Sequence, residues 1–433
     1  LTELLYPVRE LGKTLPIDHA ALEHSLADRF EQVVRQHAER LAVSSGGVEL
    51  TYRQLNRKAN RIAHAVLAHQ AQGRQPVVLM MDHDIPAVEA VIGIIKAGKP
   101  YIAVDPSSSR SYVEFILRDS GAVMILTDDR NRQRLRALLS AKDDRRVVST
   151  GELGSRLSES NPRIAVSPDA DCIIFYTSGS TGRPKGVRKI HRNILHTTEG
   201  ATNDLALSAS DRISLLVSLS FAASRFGIAG ALLNGATLCP FDIKKHGTSA
   251  LHDWLVDEGI TVFHTLPSTF RTFLGSLDPT TTFQDVRLNV LGGEPLTAAD
   301  LELFQQHFSP ECVLVNTLGA TEAGVITRYY VKPADSVHGE SVPVGYPIRD
   351  KQVLILDQDR MEVSPGEVGE IAVKSRFMSP GYWGDEELTA ARFLPDPDGG
   401  DERIYLTGDL GRISADGLLE HLGRKDSQLK IRG

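Results

Sequence analysis

Apolar and polar positions along the chain repeatedly switch between a helical and a strand period. From Leu26 the residues Phe30, Val33, Val34, Ala38 and Leu41 recur on one face of an amphipathic helix, and "GVELTYRQLNRKANRIAHAVL" reads as a short strand followed by a second helix. "PVVLMM" is a buried strand, Ile85 to Ile94 a helix, and "YIAVD" another strand. The alternation continues through "CIIFYT", "RISLLVS", "ITVFHT", "VRLNVLGG" and "CVLVNTL", with mostly helical segments between them. Strands alternating with helices predict an α/β protein with parallel sheets covered on both faces. After about Val331 the texture changes to short strands punctuated by Gly and Pro, as in "VPVGYPI", "KQVLILD" and "GEVGEIAVKS", which predicts a small β-barrel or sheet. No internal repeat or low-complexity segment interrupts this pattern.

Composition narrows the function classes. A chain of 433 residues with 41% apolar content has room for two or three compact units. Its 48 basic and 55 acidic residues give a net charge of -7 without long single-sign blocks, which argues against nucleic acid as a partner. The run around Lys142 to Arg146 reads as a solvated turn. Cys172, Cys239 and Cys312 are widely separated and lack His at ligand spacing, so neither a disulfide framework nor a zinc site is indicated, and a reducing cytoplasmic setting is expected. No apolar run has membrane-spanning length, and the amino end lacks the order of a signal peptide, so no membrane partner is expected. The start at Leu1 reads as a piece of something longer.

One stretch is built for anion chemistry. "FYTSGSTGRPKGV" offers glycines whose backbone can turn N–H groups toward a ligand, the hydroxyls of Thr177, Ser178, Ser180 and Thr181, and the charge of Lys185. It lies after an apolar strand and before the helical pattern "RNILHTTEGA". A phosphate cradle is the chemical reading. The Walker loop is excluded, because Pro184 precedes Lys185 and Gly186 stands where Ser or Thr would meet magnesium. His191 and His196 lie five apart, which is not a helical metal pair, and Cys239 and Cys312 read as core residues.

This loop resembles the phosphate loop of the adenylate-forming enzyme superfamily. "LTYRQLNRKANRIA", "IIKAGKPYIAVDP", "GEVGEIAVKSRFMSPGYW", "YLTGDLGR" and "GRKDSQLKIRG" resemble, in order, the core motifs of adenylation domains of nonribosomal peptide synthetases. The resemblance runs from about Leu26 to Gly433. It implies the family's large subdomain: two doubly wound sheets covered by helices across residues 26–330, then a β-barrel region across 331–433 ending at a hinge, with residues 1–25 as a connector. The family's mobile C-terminal lid, which carries the lysine that bridges substrate carboxylate and ATP, is not in the sequence, and Lys430 belongs to the motif before it. The chain alone is therefore expected to bind its ligands yet turn over slowly.

The resemblance also implies roles. A carboxylate attacks the α-phosphate of ATP to form an acyl-adenylate, and a carrier-protein phosphopantetheine thiol, in a modular synthetase, captures the acyl group. Thr177, Ser178, Gly179, Ser180, Thr181, Gly182 and Lys185 would hold the β- and γ-phosphates, Thr321 the α-phosphate, and Glu322 a Mg2+ ion. Gly293, Glu294, Pro295 and Asn316 would border adenine, Asp409 and Arg424 would meet the ribose, and Asp426 would be the hinge.

The substrate pocket would comprise Ala222, Ala223, Phe226, Thr265, Val290, Gly292, Thr317, Val325 and Ile326, none of them charged. Ala222 departs from the family, whose α-amino-acid members place there an aspartate that pairs with the substrate ammonium. An acid without a free α-ammonium is therefore expected: fatty, aryl-alkanoic, α-keto or α-hydroxy. "LGATE" also departs from the family's aromatic-Gly-Pro-Thr-Glu. A free-standing acyl-CoA ligase and a nucleotide-binding scaffold without catalysis remain as alternatives, the second disfavoured by the intact loop and Glu322.

Overall fold

The computed structural model describes residues 19–69, 73–140, 143–154, 157–178, 183–336 and 341–425. The expectations placed on Gly179, Ser180, Thr181, Gly182, Lys142, Asp426, Lys430 and most of the 1–25 connector lie outside these residues.

Three sheets organise the chain. The largest has nine strands, in the order Tyr346–Pro347, Gly324–Val331, Val313–Ala320, Leu288–Gly292, Val262–Thr265, Arg212–Leu215, Thr237–Pro240, Leu41–Ser45 and Val48–Thr51. Its centre is parallel and its edges are antiparallel. The second has six strands, in the order Arg146–Ser149, Met124–Thr127, Val77–Met80, Tyr101–Ala103, Asp171–Ser178 and Pro184–Ile190. Only its last pair is antiparallel. The predicted α/β class with helix-covered sheets holds, but antiparallel pairs occupy both edges of the larger sheet and one edge of the second, where the periodicity implied parallel strands. A third, five-stranded antiparallel sheet is built from Gln352–Leu356, Gly369–Ser375, Arg403–Ile413, Phe393–Pro395 and Leu419–Arg424.

The two large sheets share a core through the helix Ile85–Lys96, buried almost all round. It packs on the amphipathic helix Tyr52–His69 so closely that a Cβ at Gly93 would sit 2.6 Å from that of Ile62. Lys96, only 2% exposed, ends the helix Ile85–Lys96, where Glu31 offsets its charge and Asn56 Oδ1 accepts a hydrogen bond from it. The first helix is Leu26–His37, opened by a reciprocal Ser25–Asp28 capping box. Its apolar stripe was expected to run to Leu41, but Leu41 instead begins a strand paired with Thr51, because sheet pairing overrides the continued period.

All three cysteines are buried, and burial pushes the Cys239 and Cys312 thiols up to about 12, as suits core residues. Among the described residues no helix is long and apolar enough to cross a membrane.

Candidate active site at the meeting of two hairpins

Asp171–Ser178 and Pro184–Ile190 form a hairpin in which Thr177 lies opposite Lys185. The segment read as a phosphate cradle therefore lies between two antiparallel strands, and the helix expected over "RNILHTTEGA" is present as His191–Asp204, after a strand of seven residues. From Val187 to Ile190 burial alternates as in a half-covered strand. A second hairpin brings Val313–Ala320 back along Gly324–Val331, with Ala320 opposite Gly324 and Thr321, Glu322 and Ala323 at its tip. The side chain of Lys185 meets that tip.

Lys185 Nζ lies 2.6 Å from Glu322 Oε1 and 3.0 Å from the Tyr382 hydroxyl, which itself donates to Oε1 at 2.9 Å. The ammonium also stands 4.5 Å above the Tyr382 ring. Tyr382 is held there because residues 381–383 run beside the strand of Lys185, with Arg188 N donating to Gly381 O and Trp383 N to Gly186 O. Glu322 is 5% exposed. Burial opposes its charge, but the Lys185 charge and hydrogen bond and the Tyr382 hydroxyl outweigh it and hold the carboxyl below its usual range. Beside Lys185, the buried Thr177 hydroxyl has no hydrogen-bond partner among the described residues.

The backbone of the tip is pinned as firmly. Lys189, four residues beyond Lys185 and so on the same strand face, donates to Glu322 O at 2.9 Å, and Ser379 N donates to the same carbonyl. Lys351 donates to Ala323 O. Burial first, then the nearby Arg225 charge, pushes the Lys351 ammonium down to about 7.

This last shift predicts a pH dependence. A lysine titrating near 7 when folded and near its ordinary value when unfolded binds fewer protons in the folded state across that window, so stability rises with pH from about 7 upward. Lys189, shifted the same way by its burial, adds to the slope. Urea midpoints are expected to climb between about pH 7 and 9, and Lys351→Met is expected to flatten that climb. An unchanged slope in the variant would remove Lys351 as its source.

The remaining predicted residues fall as follows. Gly293 adopts φ +86°, a turn conformation suited to glycine, and the Glu294 carboxylate accepts from Ser268 N and Oγ at 2.8 and 3.0 Å. Asn316 Nδ2 donates to Pro343 O at 2.9 Å. Asp409 and Arg424 are direct cross-strand partners, joined by an Nη1–Oδ1 bond of 3.0 Å.

In the pocket set, Gly292 and Thr317 are cross-strand neighbours, so close that a Cβ at Gly292 would sit 2.1 Å from Thr317 Oγ1. Ala222, Phe226 and Val290 join the core cluster between the large sheets. Ala223 caps the helix Ser224–Leu232, Val325 is half-buried, and Thr265 is buried at a strand end. Ile326 packs instead in the cluster of the small sheet, with Val353 and Ile355.

Tyr382, Lys189, Lys351, Arg225 and His264 were not read from the sequence. The even spacing of Lys185 and Lys189 within one strand was the available signal for Lys189.

The comparisons with known proteins bear on this arrangement. Residues 30–383 match the AMP-binding enzyme family. The chain belongs to that family. Its relatives include bacitracin synthase 1 of Bacillus licheniformis, 33% identical across 94% of this chain, and syringomycin synthase SyrB1 of Pseudomonas syringae pv. syringae, 32% identical across 96% of it. The chain spans 8% of the former, 37% of tyrocidine synthase 1 of Brevibacillus parabrevis and 67% of SyrB1.

Among solved structures, the nonribosomal peptide synthetase FmoA3 bound to α-methyl-L-serine-AMP superposes with a TM-score of 0.86 at 28% identity, covering 98% of this chain and 47% of that one. The N-terminal subdomain of Klebsiella oxytoca NpsA, in complex with 3-hydroxybenzoyl-AMSN, gives 0.79 at 25% identity, covering 93% and 100%. The chain is thus an adenylate-forming domain of the peptide-synthetase type, of large-subdomain size.

Proposed function

We propose that this AMP-binding domain activates a carboxylic acid with ATP for loading onto the phosphopantetheine thiol of a carrier protein in a modular synthetase. The observation that carries the reading is the convergence, from two hairpin ends, of Lys185, Glu322 and a Thr177 hydroxyl that has no partner among the described residues. A carboxylate oxygen attacks the α-phosphorus, the bond from that phosphorus to the bridging oxygen breaks, and pyrophosphate leaves. Lys185 and Thr177 offset the charge gathering on the leaving group, and Thr321 flanks the α-phosphate. Asp409 and Arg424 receive the ribose, and the turn Gly293–Pro295 with Asn316 borders adenine.

Glu322 suits a magnesium ion, because it is a single buried carboxylate kept ionised beside a phosphate cradle. Mg2+ commonly takes one or two carboxylates and completes its shell with phosphate oxygens and water. When bound, the ion would supply charge neutralisation at the phosphates.

The acid lacks a free α-ammonium, since Ala222 offers no carboxylate, and an ammonium buried without a partner loses several kcal/mol of hydration. ATP–pyrophosphate exchange by the native protein, with α-amino acids matched against their deamino, α-keto and α-hydroxy counterparts, tests this. Exchange is expected with acids lacking the amine, and preference for the amino acid in every set would refute the substrate reading.

A further inference from the structure

The fold brings a guanidinium beside the backbone of Ala222, one of the residues read as lining the substrate pocket. Arg225 lies in the first turn of the helix Ser224–Leu232, one residue before Phe226. Its Nε donates to Ala222 O at 3.0 Å and its Nη1 to Thr197 Oγ1 at 3.3 Å. Both Nη atoms face Gly324, where an added Cβ would meet them at 3.6 Å. The group therefore reaches from Ala222, the position of the family's ammonium-binding aspartate, to the neighbour of Val325.

Its surroundings make the charge costly. It stands at the positive end of a helix, and its field also pushes down the buried Lys189 and Lys351. Among the described residues no carboxylate forms an ion pair with it, and burial alone pushes the guanidinium down to about 10.

Nearby, the His264 ring packs 4.7 Å from that of Phe226 and pairs in register with Val290. His264 is 7% exposed, its buried Nδ1 has no partner among the described residues, and burial followed by the Arg225 charge pushes it down to about 4, so the imidazole is neutral. A cation without a counter-charge and an idle ring nitrogen mark a place where a ligand supplies the missing partner.

We propose that Arg225 is a specificity-determining residue that selects acids bearing an oxygen on the α-carbon, the keto group of an α-oxo acid or the hydroxyl of an α-hydroxy acid, and turns away an α-ammonium. The inference rests on the carboxylate-activating reading above and narrows its substrate class. A guanidinium donates a charge-assisted hydrogen bond to either oxygen, while a second cation beside it meets repulsion with no carboxylate to relieve it.

The test measures kcat/KM for ATP–pyrophosphate exchange by the native protein, using aliphatic and aryl skeletons, each as the unsubstituted, α-oxo, α-hydroxy and α-amino acid. On the skeleton it accepts, an α-oxygen acid is expected to exceed the unsubstituted acid by about 10–100-fold, the two oxygen arms showing which form is bound. Arg225→Met is expected to bring that ratio toward one. Should that variant fail to fold, Arg225→Lys, which keeps the charge without the fork, is expected to give an intermediate ratio. If the unsubstituted acid is used equally well, or the variant slows all four forms in proportion, the inference is overturned while the adenylating activity stands. Exchange with no skeleton at all overturns the function itself.

Discussion

Lys185→Ala is expected to slow ATP–pyrophosphate exchange by about 10²–10³-fold, the usual cost of removing one preorganised charge from a developing anion. The Nζ that would meet the leaving pyrophosphate also sits 2.6 Å from Glu322, so its loss acts twice. The carboxylate, buried and stripped of the charge that keeps it ionised, would take up a proton more readily and hold a cation less well. Glu322→Gln keeps the shape and removes the charge, and a similar loss is expected. Because each residue acts partly through the other, the double variant should fall well short of the summed effects. Exchange rates for the four proteins, with circular dichroism to verify folding, check this. Full activity in either single variant would remove that residue from the chemistry.

Asp409→Asn is expected to raise the KM for ATP by about 10–100-fold, the range for losing hydrogen bonds to a charged acceptor. Asp409 is 7% exposed and anchored opposite Arg424 by the register of two adjacent strands, so its carboxylate is held before nucleotide arrives. Arg424→Ala separates the two contributions: if Asp409 meets the ribose itself and Arg424 chiefly positions it, the arginine variant loses less. The comparison is read from KM and kcat for ATP and for 2′-deoxy-ATP. A wild-type enzyme indifferent to the missing hydroxyl would sever the link between Asp409 and ribose.

Much of this molecule is legible in its sequence. The strand and helix alternation is local, set by side chains two or three to four residues apart, so strands such as "PVVLMM" and "VRLNVLGG" and the helix from Leu26 can be read directly. Pairing between distant strands is not local. Nothing near Phe175 says that "KGVRKI" will fold back as a strand. Nor does the alternation at Leu41 show that a sheet partner at Thr51 will end the helical stripe.

The same limit applies at the site. Lys185 and Glu322 are visible through the motifs that hold them, but their direct contact depends on two hairpin tips meeting across 137 residues of sequence. Arg225 went unread beside Ala222, and its guanidinium bends back onto the Ala222 carbonyl. Ile326, read as pocket-lining, is the residue skipped where the strand pairing shifts between Thr327 and Val325, and it packs into the small sheet's core.

The hairpin that presents Lys185 also constrains how this chain can change by descent or by engineering. Lys185 and Lys189 lie four positions apart on one strand, and both reach Glu322, one through its carboxylate and the other through its carbonyl. Gain or loss of one residue in the connection joining the strands leaves that parity untouched. One residue gained between the two lysines would send them to opposite faces and break the pair without altering a single side chain. Length variation among viable sequences is thus expected to collect in the connection and to be absent from the strand.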